Sequence, residues 1–393
     1  MQEKDYKNLI WANDIVAVGE DYYFSCLNYN GLYCLHMPKK QLEFLGLVPG
    51  EEYYKRYLYG SIIEVDGKLY MPPMNSEEIA VYDIKQRKFE KIALRYECNK
   101  GSKFLGALYS NRKIFFIPCR YHYLVVLNLD SGQITYLDEW YHMLLVPDEY
   151  DEPIIRNGFF IKDSVLYMAS MVDNTLIEIS TNNFETKHIK IGSDSMGFVD
   201  MRFDIEEKCI WFLKKNKPVV VRWDLESFQT RSYEVVHESY KQKGKYPFIR
   251  LIYDKNRIYL VAYQSNISVM MNKNENIFLP AEWDTDDNKD IYREWGAKYY
   301  FAKKLAEDIF AVGKTGELSI IKQGKTVDRI CLRDLFIEFR YNCQKGRFIK
   351  ENEGFNIIDF IEATFIRQKT KYDNNGLEVL YGQEIYQTLK GNQ

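Results

Sequence analysis

Ser61-Ile62-Ile63-Glu64-Val65, Lys68-Leu69-Tyr70-Met71, Ile79-Ala80-Val81-Tyr82 and Phe89-Glu90-Lys91-Ile92-Ala93-Leu94 are four short apolar-rich runs that follow one another closely. Asp66-Gly67 and Lys85-Gln86-Arg87 separate the first from the second and the third from the fourth, and both read as tight turns. Four such strands make a small antiparallel sheet whose faces and edges are bare when it stands alone.

The unit recurs along the chain. Taking Tyr70 as an anchor, equivalent aromatics stand at Tyr23, Phe115, Tyr167, Trp211, Tyr259 and Phe310, each after a polar turn. The anchors define seven units with a period near 48 residues. A second register supports the first. Thirteen residues after the anchor come His36, Asp83, Asn128, Asp224, Asn272 and Gln323. The fourth unit offers Glu178 at eleven, which predicts a connection two residues shorter there. Side chains of this kind at the end of a third strand can bond the backbone of the following turn.

Seven four-stranded units in a ring bury their faces against one another. The sequence resembles the Kelch/WD40-like β-propellers, in its period, its strand count and the phrase Val81-Tyr82-Asp83-Ile84-Lys85-Gln86-Arg87-Lys88-Phe89. The family signatures are degenerate. Met71-Pro72 and Ile117-Pro118 stand where a Gly-Gly pair closes the second strand of a Kelch repeat, and a lone Trp223-Asp224 does not make a WD40 signature. The expectation is an all-β chain, a seven-bladed β-propeller over residues 1–332. The blades fall roughly at 13–48, 60–96, 104–138, 157–191, 198–236, 248–280 and 299–332. A partly helical C-terminal extension follows over 333–393. Within it, 355–366 reads as an amphipathic helix, 373–376 as a turn and 382–389 as a second helix. The extension either packs on the propeller or docks another protein. The first residues, through Trp11, are candidates to add a strand to the last blade.

Composition agrees with a β fold: 16% of the chain is aromatic, with 32 Tyr and 23 Phe. Charge is nearly balanced at −3, which argues against broad nucleic-acid binding. No apolar signal core opens the chain, and no run is long enough to span a membrane. Seven scattered cysteines read as reduced thiols, so the expected location is cytoplasmic. The five histidines are isolated from one another and give no zinc signature, and no metal or cofactor is expected. Asp284, Asp286, Asn288 and Asp290 have the spacing of a calcium loop, but Lys289 and Trp295 stand where an EF-hand needs Gly and Glu. They read instead as a solvated acidic loop. Ser195 in Gly192-Ser193-Asp194-Ser195-Met196-Gly197 falls short of a nucleophile elbow.

In a blade the a–b and c–d turns share one face of the disc, and the b–c and d–a connections share the other. Here the second set is longer and rich in polar and aromatic residues, which marks that face for binding. The third b–c loop, with Arg120, Tyr121 and His122, is the richest, and Arg56, Arg156 and Tyr263 add charge and a ring. Asn28, Asn75 and Asn216 recur five residues after the anchor, as a ring of ligand-reading amides or as ordinary turn residues. The favoured function is a non-catalytic module for a protein or peptide partner. The first alternative is a glycan or small polar ligand on the same face. Carboxylate pairs drawn from different blades have no linear spacing, so a propeller lyase or hydrolase is the second alternative.

Overall fold

The computed structural model describes residues 10–335, apart from 53–54, 97, 99–100, 255, 285–296, 307–308, 315 and 333. The expected helices at 355–366 and 382–389 and the turn at 373–376 lie outside the described residues. So do 286, 288 and 290 of the acidic loop.

Each of seven sheets contains four antiparallel strands in sequence order. The blades span 16–46, 63–93, 104–137, 155–190, 198–234, 248–280 and 301–331. The protein is therefore a seven-bladed β-propeller. The first strands of successive blades neighbour one another around the axis, and the fourth strands form the rim.

This placement explains the sequence pattern. Second and third strands are packed on both faces, so runs such as Lys113–Pro118 and Cys209–Lys214 are almost continuously buried. Fourth strands have one wet face, and Lys88–Ala93 and Thr230–Glu234 are largely exposed. The core is a series of wedges between blades. Phe24, Tyr33 and Phe44 of blade 1 pack with Phe301, Leu318 and Ile330 of blade 7. Tyr23, Leu32 and Cys34, on the other face of blade 1, pack with Leu69 and Tyr82 of blade 2.

Residues 1–9, most of the segment expected to add a strand to the last blade, lie outside the described residues. Blades 1 and 7 each draw all four strands from one contiguous segment. Ala12 bridges Cys26 within blade 1. Among the described residues the seam is held by apolar packing and by ion pairs, Lys40 with Asp328 at 2.7 Å and Lys303 with Asp14 at 2.8 Å.

The c–d turns follow one plan. His36, Asp83, Asn128, Ser180, Asp224 and Asn272 pair with the residue two before the anchor of their blade. Blade 4 therefore keeps the offset of thirteen through Ser180, and the shorter connection predicted from Glu178 is corrected. Ser180 does what Asp and Asn do elsewhere, its hydroxyl accepting from the Asn182 and Asn183 N–H groups at 3.4 Å. Asp83 accepts from Gln86 N–H at 2.7 Å, and Asn128 from Asp130 N–H at 2.9 Å. Four residues on, Lys40, Arg87, Gly132, Phe184, Phe228 and Asn276 all have positive φ. The chain turns there through the left-handed region, which costs a side chain and suits Gly or Asn.

Candidate binding site on the long-loop face

Each first strand begins at the face carrying the long loops, so its opening residues line the mouth of the central channel. Most are apolar, but charges interrupt the pattern at Arg156, Asp200, Arg250 and Lys303. Asp200 is fully buried. It accepts from Leu251 N–H at 2.7 Å, from Met201 N–H at 2.9 Å and from Arg202 at 2.8 Å. Burial raises its carboxyl, against these partners. Arg250 donates to the Asn157 carbonyl at 3.0 Å and lies 3.8 Å from Asp200, while its buried Nε has no hydrogen-bond partner among the described residues. Burial pulls Arg250 down to about 10, and the like charges of Arg202 and Arg156 act in the same direction.

Arg156 projects over two rings, with its guanidinium 4.8 Å from the Tyr263 centroid and 5.6 Å from that of Tyr246. Among the described residues it forms no ion pair. Tyr263 continues into an apolar patch with Trp11, Leu27, Tyr57 and Tyr300. Trp11 meets Tyr300 at 4.1 Å and Tyr57 at 5.9 Å, and Arg56 lies 5.1 Å over Tyr57. Arg56, Arg156 and Tyr263 are thus joined by one aromatic surface. Beside it, Glu152 takes Lys215 and Lys245 as ion-pair partners. Burial pushes the Glu152 carboxyl up, but bonds from Lys215, Lys245 and Tyr246 outweigh it and bring the group down to about 2.

The third b–c loop does not form one patch. Arg120 donates to the Asp151 carboxylate at 3.0 Å and to the Asp151 carbonyl. Tyr121 is only 1% exposed, packs against Phe104 at 5.1 Å and donates its hydroxyl to the Tyr96 carbonyl at 2.7 Å. It is a core residue, since a buried phenol that has found an acceptor is stable where it lies. His122 turns outward and stacks on Tyr141 at 4.1 Å, on a helix over Glu139–His142. Arg120 stays near the mouth. Burial pushes the neighbouring Cys119 thiol up to about 12, while Arg156 and Arg120 both pull it the other way.

The recurring amides act mainly as loop pins. Asn28 is fully buried and accepts from Arg56 at 2.9 Å. Asn75 accepts from Ser102 N–H at 3.0 Å and donates to the Arg56 carbonyl at 3.3 Å. Asn216 differs, with a buried side-chain oxygen that has no hydrogen-bond partner among the described residues. Asn30 and Asn174 each clasp a backbone carbonyl in the following d–a connection, at 2.9 and 3.0 Å. Asp284 is a second correction. It is 4% exposed and bonded to Lys298, Tyr299 and Ser268 N–H, so it belongs to a buried ion pair and not to a solvated loop.

Reading loops alone overlooked Tyr246 and Arg250. The available signal was a charged residue near the start of an otherwise apolar first strand, as in Phe248-Ile249-Arg250.

No family model matches the chain, and no curated protein sequence matches it. Solved structures match across the propeller. A catalytically inactive virginiamycin B lyase from Staphylococcus aureus, solved with quinupristin, is 11% identical with a TM-score of 0.58, over 83% of this chain and 96% of that one. YCF48 bound to D1 peptide is 12% identical with a TM-score of 0.55, over 80% and 92%. A chain of the mitotic checkpoint complex is 10% identical with a TM-score of 0.51, over 78% and 84%. Lyase and peptide binder alike fit this architecture, so the likeness establishes the fold and leaves the activity to the site.

Proposed function

We propose that the protein is a non-catalytic binding module that takes an acidic segment of a protein or peptide partner at the mouth on its long-loop face. The observation that carries this reading is Arg156, a guanidinium laid on Tyr246 and Tyr263 and without an ion-pair partner among the described residues. A planar fork on aromatic rings suits a carboxylate, and partly desolvated Arg and Tyr are common anchors of interfaces. Arg250 and Arg56 add positive charge around the same surface. The carboxylates nearby are engaged by cations: Asp14 by Lys303, Asp200 by Arg202, Asp151 by Arg120 and Glu152 by Lys215. That arrangement favours recognition over acid–base chemistry. Among the described residues Cys26, Cys34, Cys119 and Cys209 are buried thiols scattered over three blades, which suits a reducing compartment, and we propose the cytoplasm on that ground.

The test is an array of acidic peptides and their amide-neutralised counterparts against the full chain. Acidic peptides bind, binding weakens as salt rises, and Arg156→Ala costs at least about tenfold, a hot-spot effect of about 1.4 kcal/mol. Equal binding of charged and neutral peptides, or an Arg156→Ala variant of unchanged affinity, sinks the reading. A glycan is the second reading, supported by the exposed parts of Tyr57, Tyr246 and Tyr263 in the same mouth. Competition by free sugar with no effect of acidic peptide would favour it.

A further inference from the structure

We propose that blade 1 carries a site for a divalent transition metal, zinc by its donor set, on Asp21, Cys34 and His36, with Glu43 oriented behind the imidazole. Strand register builds the cluster. Asp21 faces His36 across one strand pair, and Glu43 faces Cys34 across the next. Cys34 and His36 are two residues apart on one strand, so all four side chains share the face turned toward blade 2.

One ligand atom from each of Asp21, Cys34 and His36 lies within 4.8 Å of the others. His36 Nδ1 is 2.8 Å from Asp21 Oδ1 and 3.8 Å from Cys34 Sγ. Bonds of about 2.0–2.3 Å in a tetrahedron set ligand atoms roughly 3.3–3.8 Å apart. The thiol and imidazole already have that spacing, and the carboxylate reaches it with a small rotation. Thiolate, imidazole and carboxylate together are a zinc donor set, with the fourth position left to water.

Three observations favour a metal over a plain hydrogen-bonded cluster. First, both ring nitrogens of His36 face carboxylates, Nε2 lying 3.1 Å from Glu43, so the ring must carry either a second proton or a metal. A metal on Nδ1 satisfies that side while Nε2–H donates to Glu43, which Arg87 holds in turn. This is the carboxylate–histidine–metal arrangement. Second, Asp83, Asn128, Ser180, Asp224 and Asn272 occupy the equivalent position in other blades and bond the turn, whereas His36 points both nitrogens elsewhere. Third, the comparable cluster of Asp204, Glu207 and Cys209 is neutralised by Lys273, at 2.8 Å from Asp204 and 2.9 Å from Glu207. Among the described residues no lysine or arginine forms an ion pair with Asp21.

On binding, the Cys34 S–H bond breaks, the sulfur–metal bond forms and the proton leaves to solvent. With Asp21, Glu43 and Arg87 counted, the site then holds two net negative charges, which one divalent ion balances. His36 and Asp21 are 30% and 32% exposed, which leaves a way in.

The full chain, stripped by chelation, is titrated with Co2+. A thiolate-to-cobalt charge-transfer band appears, saturates at one equivalent and is displaced by Zn2+. It is absent in Cys34→Ser and retained in Cys209→Ser, and Glu43→Gln weakens binding about 10–100-fold. His36→Gln, at a partly exposed position, stands in if Cys34→Ser does not fold, with binding at least tenfold weaker. No charge-transfer band in the unmodified protein, a band that survives Cys34→Ser, or unchanged affinity in His36→Gln overturns the proposal.

Discussion

Gly132 has φ of +70°, and a Cβ built there would meet nothing within 4 Å. Gly132→Ala, which adds only that Cβ, therefore tests backbone conformation with no contact from neighbouring residues. We expect it to destabilise the protein by about 1–2 kcal/mol in a denaturant titration, and a neutral result would refute a left-handed requirement at this turn. Gly197 poses the opposite problem. A Cβ there would lie 2.3 Å from the Met171 carbonyl oxygen, which is backbone and cannot swing away. Gly197→Ala is expected to cost more than about 1 kcal/mol and to be read in the same titration. The turn residues were legible in the sequence because a side chain that bonds its own turn acts within four residues. Tyr121 was not, since nothing local says that its hydroxyl meets the carbonyl of Tyr96 on another loop.

At the scale of elements, the d–a connections are held down by charged groups, and Glu152 is the clearest. Its carboxyl lies at about 2 in the fold against an ordinary 4.5. A depressed carboxyl stabilises the fold above its unfolded value and loses that contribution as pH falls through the folded one. The contribution is on the order of 2 kcal/mol, less than the full displacement implies, because solvent reaches the partly exposed group and screens it. Glu152→Gln should therefore lower stability at pH 7 and flatten its decline between about pH 5 and 2. Parallel acid limbs for the two proteins would show that Glu152 is not a source of the decline. Element existence and order were readable from alternation and turn chemistry. The loop pins were only half readable, because an Asn that closes a turn and an Asn that clasps a carbonyl 17 residues away look the same in sequence.

For the whole molecule, the period of seven units carried the architecture because each blade is a local object. The mouth was legible only in pieces. Arg156, Tyr246 and Tyr263 come from separate blades and loops, and no linear spacing joins them. The seam between blades 1 and 7 is the one blade boundary without a short covalent connection. Phe301→Ala should cost about 3–5 kcal/mol. In native-state hydrogen exchange the loss of protection should concentrate in blades 1 and 7, and an equal loss in blade 4 would mean that the ring opens as a unit. The same contiguity has a consequence during synthesis. Blade 1 can complete its own sheet once residue 46 has left the ribosome. Apart from Ile10, Ala12 and Ile15, the flank bearing Phe24, Tyr33 and Phe44 then has no described neighbour until residues 301–331 are made. At about 5–20 residues per second that wait is roughly a quarter of a minute to a minute. An aromatic surface left open so long is a target for chaperones, and we expect the newborn chain to engage them through its first blade.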